Sequence, residues 1–265
     1  MSLNVECALA LPTSDQGAAM KLSGKSALVT GASSGLGAHF ARVLAEHGAE
    51  VTAAARRVDR LQSLCAEIEG DGGRAQAAAL DVTDSASVAA VFEGRTFDIV
   101  VNNAGVTVDG PALATTEDDW AHVIDTDLTG VFRVAKAAGQ RLVEAGKGGS
   151  IVNIASILGL RVAGNLSAYA TAKSGVVQMS KSLALEWARY GIRVNALCPG
   201  YIETDLNRDF FASDAGKALI RRVPQRRLGS MSDLDGPLLL LASDDSAFMT
   251  GAEIVVDGGH LVSSL

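Results

Sequence analysis

Cysteine, proline and positive charge are all scarce in this sequence of 265 residues. Its three cysteines, Cys7, Cys65 and Cys198, lie far apart with no CxxC pair or Cys/His cluster. A disulfide framework and a zinc site are therefore not expected, and reduced thiols of a cytoplasmic protein fit best. No apolar run approaches the ~20 residues of a membrane helix. The net charge of −7 disfavours general binding to nucleic acids or acidic membranes, since both are polyanions.

Apolar residues make up 48% of the chain, which indicates a globular protein with a substantial core. Residues 1–20 look unlike the rest of the chain. Their short apolar stretch lacks the basic leader of a secretory signal, so we do not expect such a signal there. The segment KLSGKSALVTG after Met20 resembles a second natural start. We expect a loose N-terminal extension over 1–20 and one domain over 21–265.

Strand-like and helix-like segments alternate from residue 25 onwards. Predicted strands lie at 26–30, 50–55, 75–80, 98–102, 150–155, 193–198 and 253–257. Amphipathic helices are predicted at about 35–47, 58–69, 84–93, 117–145, 168–190 and 232–243. The strands read as continuous apolar runs, which suits strands buried on both faces of a parallel sheet. The pattern predicts an α/β fold with a doubly wound sheet of about seven mostly parallel strands and helices on both faces.

The first strand is followed by the glycine-rich turn TGASSGLG, which contains Gly31, Gly35 and Gly37. Glycines between a strand and a helix let backbone N–H groups approach a pyrophosphate at the positive end of the helix dipole. The spacing is GxxxGxG, not the usual GxGxxG, and a purely structural tight turn would also explain it. Its place at the first βα junction favours a dinucleotide.

The second strand ends in VTAAARR, so Ala55 is followed by Arg56 and Arg57 and the first carboxylate is Asp59. An acidic residue at this place binds the NAD ribose, whereas an arginine accommodates the NADP phosphate. NADP(H) is therefore favoured over NAD(H), with Arg56 as the contact. The alternative is that both arginines only solvate a loop.

Polar residues also follow the third and fourth strands. Asp81 and Val82 would flank the adenine, although a strand end requires no such role. Asn103, Ala104 and Gly105 come from VVNNAG, and buried amides are costly without partners. They would line the cofactor or form a polar turn, and the sequence leaves both readings open.

The stretch SAYATAKSG places Tyr169 and Lys173 four residues apart, on one side of the long sixth helix. An ammonium one turn away stabilises a phenolate, which would make Tyr169 a usable general acid or base. Ser156, at the end of the fifth strand, would donate a hydrogen bond to a carbonyl oxygen. Ligands of open α/β sheets bind beyond the carboxyl ends of the strands, so these groups should share one crevice. The alternative is that Tyr169 and Lys173 are a chance pair on the protein surface.

Together TGASSGLG, NNAG, the serine of NIAS, YATAK and PGYIET resemble the short-chain dehydrogenase/reductase family over about residues 21–260, in particular members like 3-oxoacyl-carrier-protein reductase. The resemblance implies a Rossmann-type sheet, NAD(P)-dependent alcohol–ketone conversion and a homotetramer. It also implies Tyr169 as proton donor, Ser156 as carbonyl positioner and Lys173 as a ligand of the nicotinamide ribose. The implied cofactor contacts are Gly31, Ser33, Ser34, Gly35, Leu36, Gly37, Arg56, Asp81, Val82, Asn103, Ala104, Gly105, Tyr169, Lys173, Pro199, Gly200, Ile202 and Thr204.

One position departs from the family pattern. The family has asparagine before LTG as a fourth catalytic residue in a water-linked proton relay, whereas this chain reads IDTDLTG with Asp127. Aspartate would serve if the backbone carbonyl holds the relay water. We expect an active enzyme in which Asp127→Asn changes the rate only modestly.

Substrate contacts are expected after Ser156 and in a loop at about 201–228. Leu206, Phe210 and Phe211 would form a lid over an apolar pocket or pack their own helix down. The basic run RRVPQRR would meet the phosphates of an acyl carrier or coenzyme A, or would be a solvated face or subunit contact.

Three candidate functions remain open from the sequence. The first is an NADP(H)-dependent oxidoreductase acting on a small carbonyl or 3-oxoacyl thioester, without nucleic-acid or membrane partners. The alternatives are a non-catalytic NADP(H)-binding regulator and an NAD-dependent alcohol, sugar or steroid dehydrogenase. The intact Ser156, Tyr169 and Lys173 favour an enzyme.

Overall fold

A single parallel sheet organises the protein. The computed structural model describes residues 20–204 and 207–263. Its strands are β1 (Ser26–Thr30), β2 (Glu50–Ala55), β3 (Arg74–Ala79), β4 (Ile99–Asn102), β5 (Gly149–Ile154), β6 (Ile192–Pro199) and β7 (Glu253–Val256). They lie in the order β3-β2-β1-β4-β5-β6-β7, and every pairing is parallel. The predicted Rossmann-type α/β fold is confirmed, with strand ends that differ by one residue from most of the predicted ones.

Helices cover both faces of the sheet. They are α1 (Gly35–Glu46), α2 (Val58–Gly70), α3 (Ser85–Phe92), α4 (Glu117–Ile124), α5 (Gly130–Glu144), α6 (Ser167–Trp187), α7 (Arg208–Ala212), α8 (Asp214–Ile220) and α9 (Asp235–Ala242). One core cluster packs α1, α2 and α9 on the sheet, around Phe40, Leu61 and Leu238. A second cluster packs α3, α5 and α6 on the opposite face. No helix in the described ranges is long and apolar enough to cross a membrane.

The edge strand β3 differs from the expectation of strands buried on both faces. Central strands β4 and β5 are almost wholly buried, whereas β3 alternates between exposed and partly exposed residues. Its sequence RAQAAA pairs with β2 on one side only. Small alanines and an exposed arginine are compatible with a solvent-facing edge.

The helix predicted over 117–145 is not continuous. It consists of α4, a π-helical segment over Asp125–Thr129, and α5. A π-helical turn accommodates one extra residue and is frequent at functional sites. Thr126 and Asp127 of this segment are buried, so the irregularity carries a carboxyl group into the interior.

Buried hydrogen bonds tie α6 to the centre of the sheet. The Asn102 side chain of β4 donates to Oδ1 of Asn153 in β5 over 2.8 Å. The Asn153 amide donates to Oγ of Ser180 in α6 over 2.9 Å. All three side chains are at most 1% exposed. Since buried polar groups are costly without partners, this chain of bonds fixes how α6 lies on the sheet.

Candidate active site

A cavity of about 1000 Å³ lies at the carboxyl ends of strands β1 to β6. Its lining includes nearly all the residues that the sequence put forward: Gly31, Ser33, Ser34, Gly35, Leu36, Arg56, Asp81, Val82, Asn103, Ala104, Gly105, Asp127, Ser156, Tyr169, Lys173, Pro199, Gly200, Ile202 and Thr204. Gly37 is not on the cavity wall. The topology thus brings residues from six strand ends into one crevice, as open α/β sheets do.

The glycine turn is shaped by close backbone contacts. A Cβ on Gly31, whose φ is +68°, would lie 2.8 Å from Cα of Ala104. A Cβ on Gly37 would lie 2.4 Å from the Gly31 carbonyl oxygen, so Gly37 lets α1 pack on the turn from behind. By contrast, a Cβ on Gly35 would meet nothing within 4 Å, because that glycine faces the open side.

The N-terminus of α1 suits a pyrophosphate. Its N-cap residue Ser34 makes no side-chain capping bond, and the first turn holds no acidic side chain. The first N–H groups of the helix therefore point to the cavity without an internal anion, at the positive end of the helix dipole. These residues fit a dinucleotide cofactor.

Arg57, more than Arg56, is held at the mouth of this turn. Its guanidinium donates to Oγ of Ser33 and to Oγ of Ser34, each over 2.9 Å. Both arginines line the cavity and both are exposed. Two cations therefore lie beside the glycine turn, and Arg57 is oriented by the two serines.

The polar strand ends serve the fold and the cavity together. The Asn103 side chain donates to the Thr30 carbonyl over 3.0 Å, and its backbone N–H donates to Thr30 Oγ1. Asp81 accepts from the Thr83 hydroxyl over 2.7 Å and from its N–H over 3.0 Å. These hydrogen bonds from Thr83 hold the pKa of Asp81 below its ordinary value, with a smaller contribution from Arg56.

Ser156 begins a short 3₁₀ turn over Ile157–Gly159 directly after β5. Its Oγ accepts a hydrogen bond from the Leu158 N–H over 3.1 Å. A hydroxyl that accepts through its oxygen keeps its own hydrogen for donation. Ser156 lies on the cavity wall, so that hydrogen is available to a ligand oxygen.

Tyr169 and Lys173 lie on the first two turns of α6. The Lys173 ammonium is 5.5 Å from the centre of the Tyr169 ring. Only 4% of Lys173 is exposed, and its Nζ donates to the Ile154 carbonyl over 3.1 Å. Burial alone would lower its pKa, but the attraction to the Asp127 carboxylate, and to Tyr169 when that phenol is ionised, outweighs this effect and the pKa of Lys173 is raised. The lysine is therefore a buried cation at neutral pH.

Asp127 provides the opposite charge. Its Oδ2 lies 3.1 Å from the Lys173 Nζ, and its side chain is fully buried. Its Oδ1 accepts from the Val106 N–H over 2.7 Å. A Cβ on Gly105 would lie 2.8 Å from Oδ2, so the glycine of NNAG leaves space for this carboxylate.

The carboxylate matches its surroundings better than an amide would. Two donors, the Val106 N–H and the Lys173 ammonium, face its two oxygens. An asparagine has one acceptor oxygen, and its NH₂ would face a donor in either orientation. Aspartate at this position therefore satisfies a polar arrangement that asparagine would satisfy only in part.

The remaining wall is aromatic and apolar. Tyr201 and Phe211 contact edge to face with ring centres 5.9 Å apart, and Phe210 packs on Phe211 at 5.2 Å. Phe211 is 7% exposed and Phe210 is 52% exposed. Both line the cavity. The buried Phe211 packs its helix against the protein, whereas the exposed Phe210 reaches solvent. Leu206, the third residue of the predicted lid, lies outside the described residues.

The loop before these aromatic residues is fixed by an asparagine. The Asn207 Oδ1 accepts from the Thr204 N–H over 2.8 Å, and its amide donates to the Ile202 carbonyl over 2.9 Å. The basic run after α8 does not line the large cavity, and Arg227 there pairs with Asp233 at 2.6 Å.

Sequence reasoning missed several contributors to the site. The Ile154 carbonyl and the Val106 N–H are backbone groups, which no residue pattern reveals. Leu158, Leu166 and Asn207 also line the cavity, and they belong to the two segments, after Ser156 and after Thr204, in which substrate contacts were expected.

Comparisons with known proteins agree with this architecture. A family model described as Enoyl-(Acyl carrier protein) reductase matches residues 31–260. D-threitol dehydrogenase of Mycolicibacterium smegmatis is 38% identical over 248 residues, covering 91% of this chain and 95% of the relative. The chain belongs to the short-chain dehydrogenase/reductase family.

Two further members of the family are similarly close. The 3-oxoacyl-(acyl-carrier-protein) reductase FabG of Escherichia coli is 38% identical over 245 residues, covering 91% of this chain and 98% of the relative. A gluconate 5-dehydrogenase from Burkholderia cenocepacia, solved in complex with NADP and tartrate, superimposes with a TM-score of 0.88. It is 36% identical, over 92% of this chain and 98% of that one. This chain is accordingly an oxidoreductase that acts on CH–OH groups with NAD(P).

Burial should make the Lys173 ion pair much more important for stability than its exposed counterpart on the same helix. Lys173→Met leaves the buried Asp127 carboxylate without a cation, which should lower the free energy of unfolding by about 3–5 kcal/mol. Lys181 is also 3.1 Å from a carboxylate, that of Glu253, but is 44% exposed, so Lys181→Met should cost less than about 1 kcal/mol. Urea unfolding of both variants measures the difference, and equally small losses would contradict a charged buried pair.

Proposed function

We propose that this enzyme interconverts a ketone and a secondary alcohol with NADP(H), using Tyr169 as the general acid or base. The observation that carries the proposal is that Ser156, Tyr169 and Lys173 lie on the wall of the same cavity as the glycine turn. The residues around that turn fit a dinucleotide, which when bound supplies the hydride for the carbonyl carbon.

The side chains have distinct tasks in the reduction. The Ser156 hydroxyl donates to the substrate oxygen and positions it, where negative charge develops. The Tyr169 hydroxyl gives its proton to that oxygen, and the buried Lys173 cation stabilises the phenolate that remains. In alcohol oxidation the same groups work in reverse, with Tyr169 as the base.

NADP(H) is the proposed cofactor. The second strand ends in Ala55, a small residue, and the guanidinium of Arg57 is held over the glycine turn by two serine hydroxyls. Fork-shaped donors suit a 2′-phosphate. The related gluconate 5-dehydrogenase was solved with NADP, which agrees with this assignment.

A small ketone or a 3-oxoacyl thioester is the proposed substrate class. Leu158, Leu166, Phe210 and Phe211 give the cavity an apolar side, and the positive charge of Lys173 is already balanced by Asp127. A carboxylate substrate would find no free cation there among the described lining residues, since Arg56 and Arg57 lie at the glycine turn. We further propose one domain over 21–265 with a substrate loop at about 201–228, and a homotetramer, as the family resemblance implies.

A non-catalytic NADP(H)-binding regulator is the less favoured candidate. Such a protein would gain nothing from a cation buried beside a tyrosine, and isolated burial of a charge is costly. The Lys173 arrangement therefore argues for chemistry at Tyr169.

The role of Tyr169 can be tested by removing a single oxygen. Tyr169→Phe should lower turnover of ketones and 3-oxoacyl thioesters with NADPH by about 10²–10⁴-fold, because the proton donor is gone. The Kd for NADPH should not change. Tyr190→Phe, at an exposed position beyond α6, is the matched control and should keep full activity. A wild-type protein that binds NADPH but reduces none of the ketones and 3-oxoacyl thioesters tested would support the regulator instead.

The cofactor preference should depend on Arg57. Arg57→Ala should raise the Kd for NADPH about 10-fold while the Kd for NADH stays nearly constant, because only NADPH carries the 2′-phosphate. Arg60→Ala, on an exposed turn of α2, controls for the loss of a positive charge nearby. Fluorescence titration measures the Kd of the wild type and of both variants for each cofactor. Equal weakening of both cofactors by Arg57→Ala, or tighter binding of NADH by the wild type, would overturn the assignment.

A further inference from the structure

Asp127 is the charged group that distinguishes this site from the family pattern, which has asparagine in its place. Its carboxylate is fully buried 3.1 Å from the Lys173 Nζ, and the π-helical turn holds it there. Asp127 bears on when Tyr169 releases its proton, an inference that rests on the proposed role of Tyr169.

Among the described residues that face the Lys173 ammonium, Asp127 is the one that carries a negative charge. Asp127 comes from the π-helical segment, Tyr169 from α6 and Cys198 from β6. Burial raises the pKa of the Cys198 thiol to about 12, so this group is neutral. The Ile154 carbonyl completes the contacts as a neutral acceptor.

Among the described residues, the surroundings of Tyr169 contain one more carboxyl group. Val106 and Val108 pack in the same apolar cluster as Tyr169, and Asp109 follows them on the cavity wall. Asp109 is exposed, so solvent screens its charge. The negative charge of the buried Asp127 is screened far less and opposes the positive charge of Lys173.

We propose that Asp127 is a positioning residue that offsets part of the charge of Lys173, so that Tyr169 keeps its proton to higher pH than it would beside an unpaired lysine. An ammonium favours a phenolate by its positive charge, and a carboxylate 3.1 Å from that ammonium opposes this effect. The enzyme would then be set for proton donation, and so for ketone reduction, across the neutral range. Alcohol oxidation would require more alkaline conditions.

The sequence makes this directly measurable, because it contains only three tyrosines. Tyrosinate absorbance near 295 nm, followed against pH in the protein without cofactor, reports their ionisation, and the Tyr169→Phe variant identifies the contribution of Tyr169. Asp127→Asn should move that contribution to lower pH by about one unit, the size expected when an opposite charge is no longer compensated. In the same variant, alcohol oxidation should gain relative to ketone reduction at neutral pH.

Asp125→Asn is the matched control. Asp125 lies two residues away in the same π-helical segment and pairs with Arg133 at 2.8 Å on a partly exposed surface. The same change of charge there should leave the Tyr169 titration in place. If Asp127→Asn does not fold, Asp127→Ser removes the charge with a smaller side chain.

Two outcomes would overturn the proposal: a Tyr169 titration that does not move in the Asp127 variants, or one that moves to higher pH. An equal shift in Asp125→Asn would also overturn it, since general charge would then explain the effect. The titration needs no turnover, so it is separate from the proposed function. That function fails if Tyr169→Phe retains activity, whatever the absorbance shows.

Discussion

The buried contact between the Lys173 ammonium and the Asp127 carboxylate joins the parts of the chain that form the site. Lys173 comes from α6, Asp127 from the π-helical turn between α4 and α5, and their further partners are backbone groups after β4 and at the end of β5. Burying two charges is costly unless they meet with good geometry and additional hydrogen bonds. Oδ1 of Asp127 accepts from the Val106 N–H and Lys173 donates to the Ile154 carbonyl, whereas the buried Oδ2 has the ion pair with Lys173 and no hydrogen bond. The position of α6 and the shape of this part of the cavity therefore depend on each other.

The sheet places the Lys173–Asp127 ion pair beside the cavity. Parallel strands place the ends of β1 to β6 at one edge, and the cavity lies there with the glycine turn on one side and Ser156 and Tyr169 on the other. The hydrogen-bonded chain from Asn102 through Asn153 to Ser180 anchors α6 on the sheet from below. The proposed reacting groups Ser156, Tyr169 and Lys173 therefore lie directly after β5 and on α6, while the loop after β6 contributes the aromatic wall of the cavity.

Much of the fold and the site could be predicted because both rest on local sequence patterns. Apolar runs alternating with amphipathic helices indicate a parallel sheet. Parallel strands then bring the glycine turn after β1 and the Tyr169–Lys173 pair on α6 to the same edge of that sheet. The π-helical turn could not be predicted, since its residues DTDLT also suit an ordinary helix and only packing around Asp127 favours the extra residue. The Gly37 position illustrates the same limit: a Cβ there would lie 2.4 Å from the Gly31 carbonyl oxygen, and the spacing of the glycines does not reveal this close contact.

The central claim is that Lys173 is a charged group inside the protein and that Asp127 keeps it so. ¹⁵N NMR of lysine-labelled protein, with the Lys173 signal assigned from Lys173→Arg, reports the protonation of its side-chain nitrogen directly. The account predicts an ammonium signal that persists beyond the ordinary lysine pKa of ~10.4, because the pKa of Lys173 is raised by its carboxylate partner. A neutral amine at pH 7–8 would contradict the account, since neither the buried ion pair nor its influence on Tyr169 could then exist.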